Sequence, residues 1–218
     1  MTEDETDRWT FGADPLPQTM RAAALLRRVT CLTLALESED DEVERLIGDL
    51  ERCEAVLQQR VPTDPAPRVG DAASGAGRVY LDHAFGIGAY NPCVPEYSIE
   101  VQGDRAQGSV TFPIVYEGPP GLVHGGFLAV FFDCAVQQHN CELGLAGKTT
   151  SLLLTYRRPT PLLTDLTFAL DRSVGDDRIR TVGTLCAGDK VLCEAEVGAM
   201  AGVRANLPEV SSRRAVTS

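Results

Sequence analysis

Lysine is almost missing from this 218-residue chain: only Lys148 and Lys190 are present, and the other basic residues are arginines. The balance is acidic, with a formal net charge of −11 at pH 7, and the basic residues form no run. Such a chain lacks the field that draws in nucleic acid or an anionic membrane surface, so neither is expected as a partner. Histidine is scarce, at positions 83, 124 and 139 only, and no ligand-spaced cluster forms around it, so no metal site is expected. No stretch approaches the roughly 18 apolar residues of a membrane span. The start, Met-Thr-Glu-Asp-Glu, has neither the basic nor the apolar region of a secretory signal. Seven cysteines, an odd number with no CxxC pair, read as reduced, buried thiols in a cytoplasmic protein.

What is present is uneven. Residues 1–66 hold 15 acidic and 7 basic residues (net −8), whereas residues 67–218 hold 16 and 13 (net −3). From about Pro17 to Leu36, apolar residues recur at helical spacing (Met20, Ala23, Leu26, Val29, Leu32, Leu36). A second helix is expected from Ser38, an N-cap candidate with Asp41 three residues on, to a stop before Pro62. Its stripe comprises Val43, Leu46, Ile47, Leu50, Cys53, Val56 and Leu57. The pair reads as a helical hairpin whose stripes must pack on each other and on the main domain or a partner chain. The extension is assigned to residues 1–61, and a Gly- and Pro-rich linker with irregular covering structure to residues 62–94.

Residues 95–205 carry a different rhythm. Strands are expected at Tyr97–Gln102 and Arg105–Tyr116 around a Gly103-Asp104 turn, then a long apolar helix from Gly125 to Leu143. Further strands follow at Thr149–Arg158, Asp165–Ser173, Arg178–Ala187 and Val191–Met200, with residues 206–218 as a flexible tail. Two strands, one helix and then four strands make an α+β domain. A helix apolar nearly all round must be enclosed, and a curved antiparallel sheet is the obvious enclosure.

That helix contains Asp133, and a carboxylate is rarely buried without a partner. It is opened by His124-Gly125-Gly126, flexible backbone whose unpaired N–H groups sit at the positive end of the helix dipole. A carboxylate in an apolar wall together with such a helix start is what a water-activating site with an oxyanion pocket needs.

The order of elements and two motifs resemble the hotdog-fold thioesterases, specifically the acyl-CoA thioesterases of the phenylacetate-degradation type. The first motif is Gly121-x-Val123-His124-Gly125-Gly126 with an acid nine residues after the histidine; the second runs from Thr149 into Leu152-Leu153-Leu154-Thr155-Tyr156-Arg157-Arg158-Pro159-Thr160-Pro161-Leu162. The resemblance covers about residues 95–203 and leaves out the helical extension. It implies a hotdog fold and hydrolysis of an acyl-CoA thioester, with coenzyme A as part of the substrate and neither metal nor redox cofactor. It implies Asp133 as general base or nucleophile, and Gly125, with Gly126 as a second donor, as the oxyanion site. It further implies that Thr149 holds the water and that Arg157 or Arg158 meets the phosphates of coenzyme A. Many members place Asn or Gln shortly before the histidine, where this chain has Glu117-Gly118-Pro119-Pro120.

Spacing adds a claim of its own. Gly125 and Asp133 are eight residues apart, which is about 12 Å along a helix axis. A base and an oxyanion donor acting on one thioester should lie roughly 6–8 Å apart. One helix therefore cannot supply both. Two antiparallel helices from two chains can, so an obligate homodimer with two shared sites is expected, and the extension could raise it to a tetramer.

Several residues keep two readings. His124 is better placed to orient or pack than to act as a base, and Cys134, among apolar neighbours, reads as core. Gln137 and Asn140 either line the pocket or serve as caps and interface. Arg157 and Arg158 are phosphate ligands or a solvated strand end. A hotdog hydratase would need an Asp with a His five residues on, whereas Asp133 and His139 are six apart. A non-catalytic acyl-CoA or acyl-carrier binding dimer is the other alternative.

Overall fold

A computed structural model of the chain describes residues 17–60, 88–142 and 149–200. Two helices come first, α1 (Pro17–Leu34) and α2 (Asp41–Gln58); then β1 (Tyr97–Gln102), β2 (Arg105–Val110), α3 (Gly125–Glu142), β3 (Thr149–Tyr156), β4 (Leu166–Val174), β5 (Arg178–Ala187) and β6 (Lys190–Met200). The strands form one antiparallel sheet in the order β1-β2-β4-β5-β6-β3. Its edges are β1 and β3. In β4 the side chains alternate, with Leu166, Phe168, Leu170 and Arg172 turned inward and their neighbours exposed, the pattern of a sheet with one face on a core.

The sheet curves around one side of α3. Phe131, Phe132, Ala135 and Val136 press into it against Phe112, Leu166, Phe168, Leu170, Leu185 and Val197. Phe131 is the hub, in edge-to-face contact with Tyr97, Phe112, Phe132 and Phe168 at 5.1–5.7 Å between ring centres. Gly183 lets the helix come this close, because a Cβ there would lie 2.9 Å from the Phe132 ring. The opposite side of α3 is open. Gly126, Val130, Asp133 and Gln137, spaced by 4, 3 and 4, form a stripe that is half-buried to exposed, so among the described residues the expected enclosure is one-sided.

Four expectations need correction. The second strand ends at Val110, not Tyr116: Pro113 has no N–H for a ladder, and Ile114–Tyr116 wind into a 3-10 turn that buries Phe112 and Tyr116. The second helix is capped by Asp40, not Ser38, through a 2.8 Å bond from Glu42 N–H. The stripe assigned to the first helix is really two. Met20, Ala23, Ala24, Arg27 and Cys31 face the body, while Leu26, Leu32 and Leu36 are exposed. Finally, α1 and α2 make no extended contact with each other; α1 packs on the 3-10 turn, and no residue of α2 is buried.

What seats α1 is Arg27, a buried cation that sequence periodicity does not mark. Its guanidinium donates to the carbonyls of Pro92 (3.3 Å) and Asn91 (3.1 Å) and pairs with Glu96. The 62–79 linker, the 206–218 tail and the end of the central helix at Leu143 lie outside the described residues, and of the 80–94 segment only the turns at 88–94 are described.

Candidate active site

The segment leading into α3 is held by its own backbone. Glu117 bridges to Val123 and Leu122 to Pro161, while Val123 and His124 donate to the carbonyls of Thr160 and Tyr116, both at 2.9 Å. Gly121, at φ 76°, makes the turn, and its N–H reaches Glu117 Oε1 at 2.7 Å. These bonds deliver His124 to the position before the helix, where its Nδ1 accepts the Gly126 N–H at 3.0 Å. His124 is thus an N-cap that occupies one of the free donors of the first turn. An Nδ1 that accepts carries no proton, so the ring bears its hydrogen on Nε2.

This takes Gly126 N–H out of the implied donor pair. Gly125 N–H remains, with no acceptor among the described residues, at the positive end of an 18-residue helix. The Tyr156 hydroxyl donates to Gly125 C=O at 3.1 Å, and a Cβ at Gly125 would lie 2.9 Å from it. Tyr156 had no assigned role from the sequence. Its only signal was membership in the Tyr-Arg-Arg-Pro motif.

Eight residues along the same unbroken helix, Asp133 is half-buried on the open stripe. Thr149 Oγ1 donates to Asp133 Oδ1 at 2.7 Å and accepts from Gln137 Nε2 at 2.9 Å. The register of β3 slips against β6 between Thr149 and Ser151; a bulge of this kind re-aims a side chain locally. The relay has one direction. Gln137 fixes the Thr149 hydroxyl, whose only proton then goes to the carboxylate and holds Oδ1 in place. Thr149 keeps one lone pair for a water but has no proton to give it.

Other candidates lie elsewhere. Asn140 falls on the same helical face as Asp133 but is fully enclosed, with neither amide atom hydrogen-bonded. Arg157 grips Glu194 through Nε (2.8 Å) and a terminal nitrogen (2.7 Å), and Arg158 donates to Val191 C=O at 2.6 Å; both are exposed at the end of β3. Burial, and secondarily the Asp133 charge, pushes the Cys134 thiol up to about 12, so it is no thiolate nucleophile near neutrality. His139 is fully buried and donates through Nε2 to Gly103 C=O at 3.1 Å, tying α3 to the first hairpin; burial lowers its pKa. A cavity of about 350 Å³ between α1 and β1, lined by Met20, Ala24, Tyr97, Ile99 and Gln138, lies on the far side of α3 from Asp133. Among the described residues no group of three or more His, Cys, Asp or Glu could hold a metal ion, and no helix is long and apolar enough to cross a membrane.

A six-stranded antiparallel sheet curved around one long helix is the hotdog fold. A thioesterase superfamily protein of known crystal structure is 29% identical, over 87% of this chain and 98% of that one, with a TM-score of 0.66. In fold, and at 29% identity in sequence, the chain is similar to that thioesterase superfamily protein. That match reaches far beyond the sheet and α3, which span about half of the chain, and so takes in much of the region before β1. A hypothetical thioesterase protein with coenzyme A from Streptococcus pneumoniae TIGR4 is 18% identical over 50% of this chain and 90% of its own, with a TM-score of 0.47. A phenylacetic acid degradation-related protein from Ralstonia eutropha JMP134 is 22% identical over 48% of this chain and 83% of its own, with a TM-score of 0.42. No family model and no curated protein matches the sequence.

Proposed function

We propose that this protein hydrolyses an acyl-CoA thioester to a free acid and coenzyme A, in a homodimer whose two sites each take a base from one chain and an oxyanion donor from the other. The observation that carries the reading is the Gln137–Thr149–Asp133 relay. It leaves the second carboxylate oxygen of Asp133 available on an open helix face, while the free Gly125 N–H lies about 12 Å away along the same axis. Two copies of α3 packed antiparallel on their open stripes would bring the Asp133 of one copy to the Gly125 of the other.

In that arrangement Asp133 takes a proton from water as the water oxygen attacks the thioester carbonyl carbon. The Gly125 N–H of the partner chain, strengthened by the helix dipole, stabilises the tetrahedral oxyanion. The C–S bond then breaks, Asp133 returns the proton to the leaving sulfur, and the acid and the thiol depart. Hydrolysis of this kind needs no electron carrier. All seven cysteines are free thiols, which suits the proposed cytoplasmic setting. Arg157 and Arg158, at the strand end that also delivers Tyr156 to Gly125, are the proposed contacts for the coenzyme phosphates; Arg157 would exchange Glu194 for phosphate. Gln137 serves in positioning, and Asn140 in polar lining once a partner or substrate reaches it.

Release of thiol from a panel of acyl-CoAs tests the reading. Wild type should turn over at least one class, and Asp133→Asn should lose a factor of about 10²–10⁴ in kcat. Mixed dimers of Asp133→Asn with Gly125→Val chains should recover about one working site each. Coenzyme binding without thiol release would make the protein a binding module, and mixed dimers as inactive as their parents would refute the shared site.

A further inference from the structure

Tyr116 touches the arm, the core and the start of α3 together. It closes the 3-10 turn Ile114–Tyr116 on which α1 packs, and it is fully buried. Its ring stands edge-to-face between Phe112 of the core, at 5.9 Å, and Phe127 in the first turn of α3, at 5.0 Å. Its carbonyl accepts the N–H of His124, the residue before Gly125, at 2.9 Å. Its hydroxyl makes no hydrogen bond of good geometry. Burial pushes that hydroxyl up to about 12, and the nearby guanidinium of Arg27 works against the shift.

Arg27 is the other end of this line of contacts. It is 6% exposed on α1, donates to the carbonyls of Pro92 and Asn91, and pairs with Glu96. Burying a cation is costly, and an apolar side chain would seat α1 without that cost. What a guanidinium adds is a rigid fork, which fixes a helix in one place where an apolar contact tolerates sliding. With α1 pinned, the phenol of Tyr116 is confined, and its ring and carbonyl carry that placement to Phe127 and His124. The start of α3 needs such support. Gly125 and Gly126 are the most freely rotating of residues, at a helix end where fraying is the rule. A donor there has to be held to within about 0.5 Å to serve a reacting group.

We propose that Arg27 is a positioning residue for the site: through Tyr116 it holds the His124-Gly125-Gly126 start of α3, and with it the aim of the free Gly125 N–H. The consequence for turnover rests on the thioester reading; the hold on the helix start does not.

Two readouts on the full-length protein keep those parts separate. The first is hydrogen exchange of the Gly126 amide, which His124 Nδ1 accepts, followed in glycine-labelled protein the same number of degrees below each variant's Tm. Arg27→Met keeps the stem and removes the donors, and should speed this exchange about tenfold. Tyr116→Phe leaves the bonds of Arg27 to Pro92, Asn91 and Glu96 in place and removes only the hydroxyl; it should speed exchange about threefold, and it serves if Arg27→Met fails to fold. The control is Ile179→Ala, a core truncation far from the turn. Val110 pairs with Leu166 at the end of the sheet next to the 3-10 turn, and Ile179 with Val174 at the other. It should change the exchange less than about twofold.

The second readout is thiol release from the acyl-CoA that wild type turns over fastest. An oxyanion donor acts in the transition state, so Arg27→Met should lower kcat about tenfold with KM within about twofold. Gly126 exchange no faster in Arg27→Met and Tyr116→Phe than in Ile179→Ala would overturn the proposal, whatever the activity. Faster exchange with kcat unchanged would also overturn it, because the helix start would then loosen without harm to the donor. Faster exchange in a protein that releases no thiol would uphold the hold on the helix start and refute the thioester reading instead.

Discussion

The helix at the centre of the body and the two helices of the arm are equally long, 18 residues each, yet they use apolar side chains in opposite ways. In α3 the large residues are spent on the sheet, and the face left open carries a polar relay built around Asp133. In α1 and α2 the open faces carry leucines and only a rim of charge. An open face with a hydrogen-bonded carboxylate can hold water and polar groups, whereas an open face of leucines gains only by being covered. The difference lies in what the neighbours of each face satisfy: Thr149 and Gln137 complete Asp133, while among the described residues nothing covers Leu32 or Leu57.

Four measurements would break or sharpen that contrast. The largest effect belongs to Asp133→Asn, which should lower kcat by about 10²–10⁴-fold while leaving the thermal midpoint within a few degrees; a large loss of stability instead would make Asp133 structural. Next, Phe131→Ala should destabilise the body by about 3–5 kcal/mol in denaturant titration. Leu50→Ala on α2 should stay within about 0.5 kcal/mol for the unfolding of the body. Equal losses would show that arm and body unfold together. Thr149→Ala removes a hydrogen bond to a charged group, worth about 1.5–3 kcal/mol. It should cost roughly 10- to 100-fold in kcat, with Thr149→Ser close to wild type.

The smallest effect concerns pH. His139 is buried neutral and its pKa is depressed in the folded chain, so below the ordinary histidine value of about 6.5 the unfolded chain binds a proton that the folded one does not. Its contribution to stability is therefore level above that value and falls as pH drops below it, by at most about 1.4 kcal/mol per pH unit. His139→Gln should flatten the dependence of Tm on pH in that window. An unchanged slope would place the titration on another group.

Much of the body was legible from periodicity and punctuation. Alternation placed β4, β5 and β6 to within a residue or two, and the turns at Gly103 and Gly188 were marked by Gly-Asp pairs. What escaped has specific causes. The second strand looked continuous to Tyr116 because Phe112 and Tyr116 are apolar at strand spacing; their burial is served by a 3-10 turn instead. The first helix showed one apolar pattern because a sequence window cannot tell a face covered by its own chain from a face that is bare. Arg27 counted as a surface charge until Pro92, Asn91 and Glu96 came round it. At the site, Gly125, His124, Asp133 and Thr149 were visible through motif spacing, whereas the bonds His124–Gly126, Gln137–Thr149 and Tyr156–Gly125 were not, since their partners meet only when strand and helix come together.

By itself, the sequence determined the order of elements, the polarity of each face of α3 and the eight-residue gap between Gly125 and Asp133, because these follow from local periodicity and helix geometry. Tertiary structure decided which glycine N–H stays free, which side chains hold the carboxylate and which leucines stay bare. Those depend on contacts between residues distant in the chain, whose energies are set by distance and burial that local pattern does not encode.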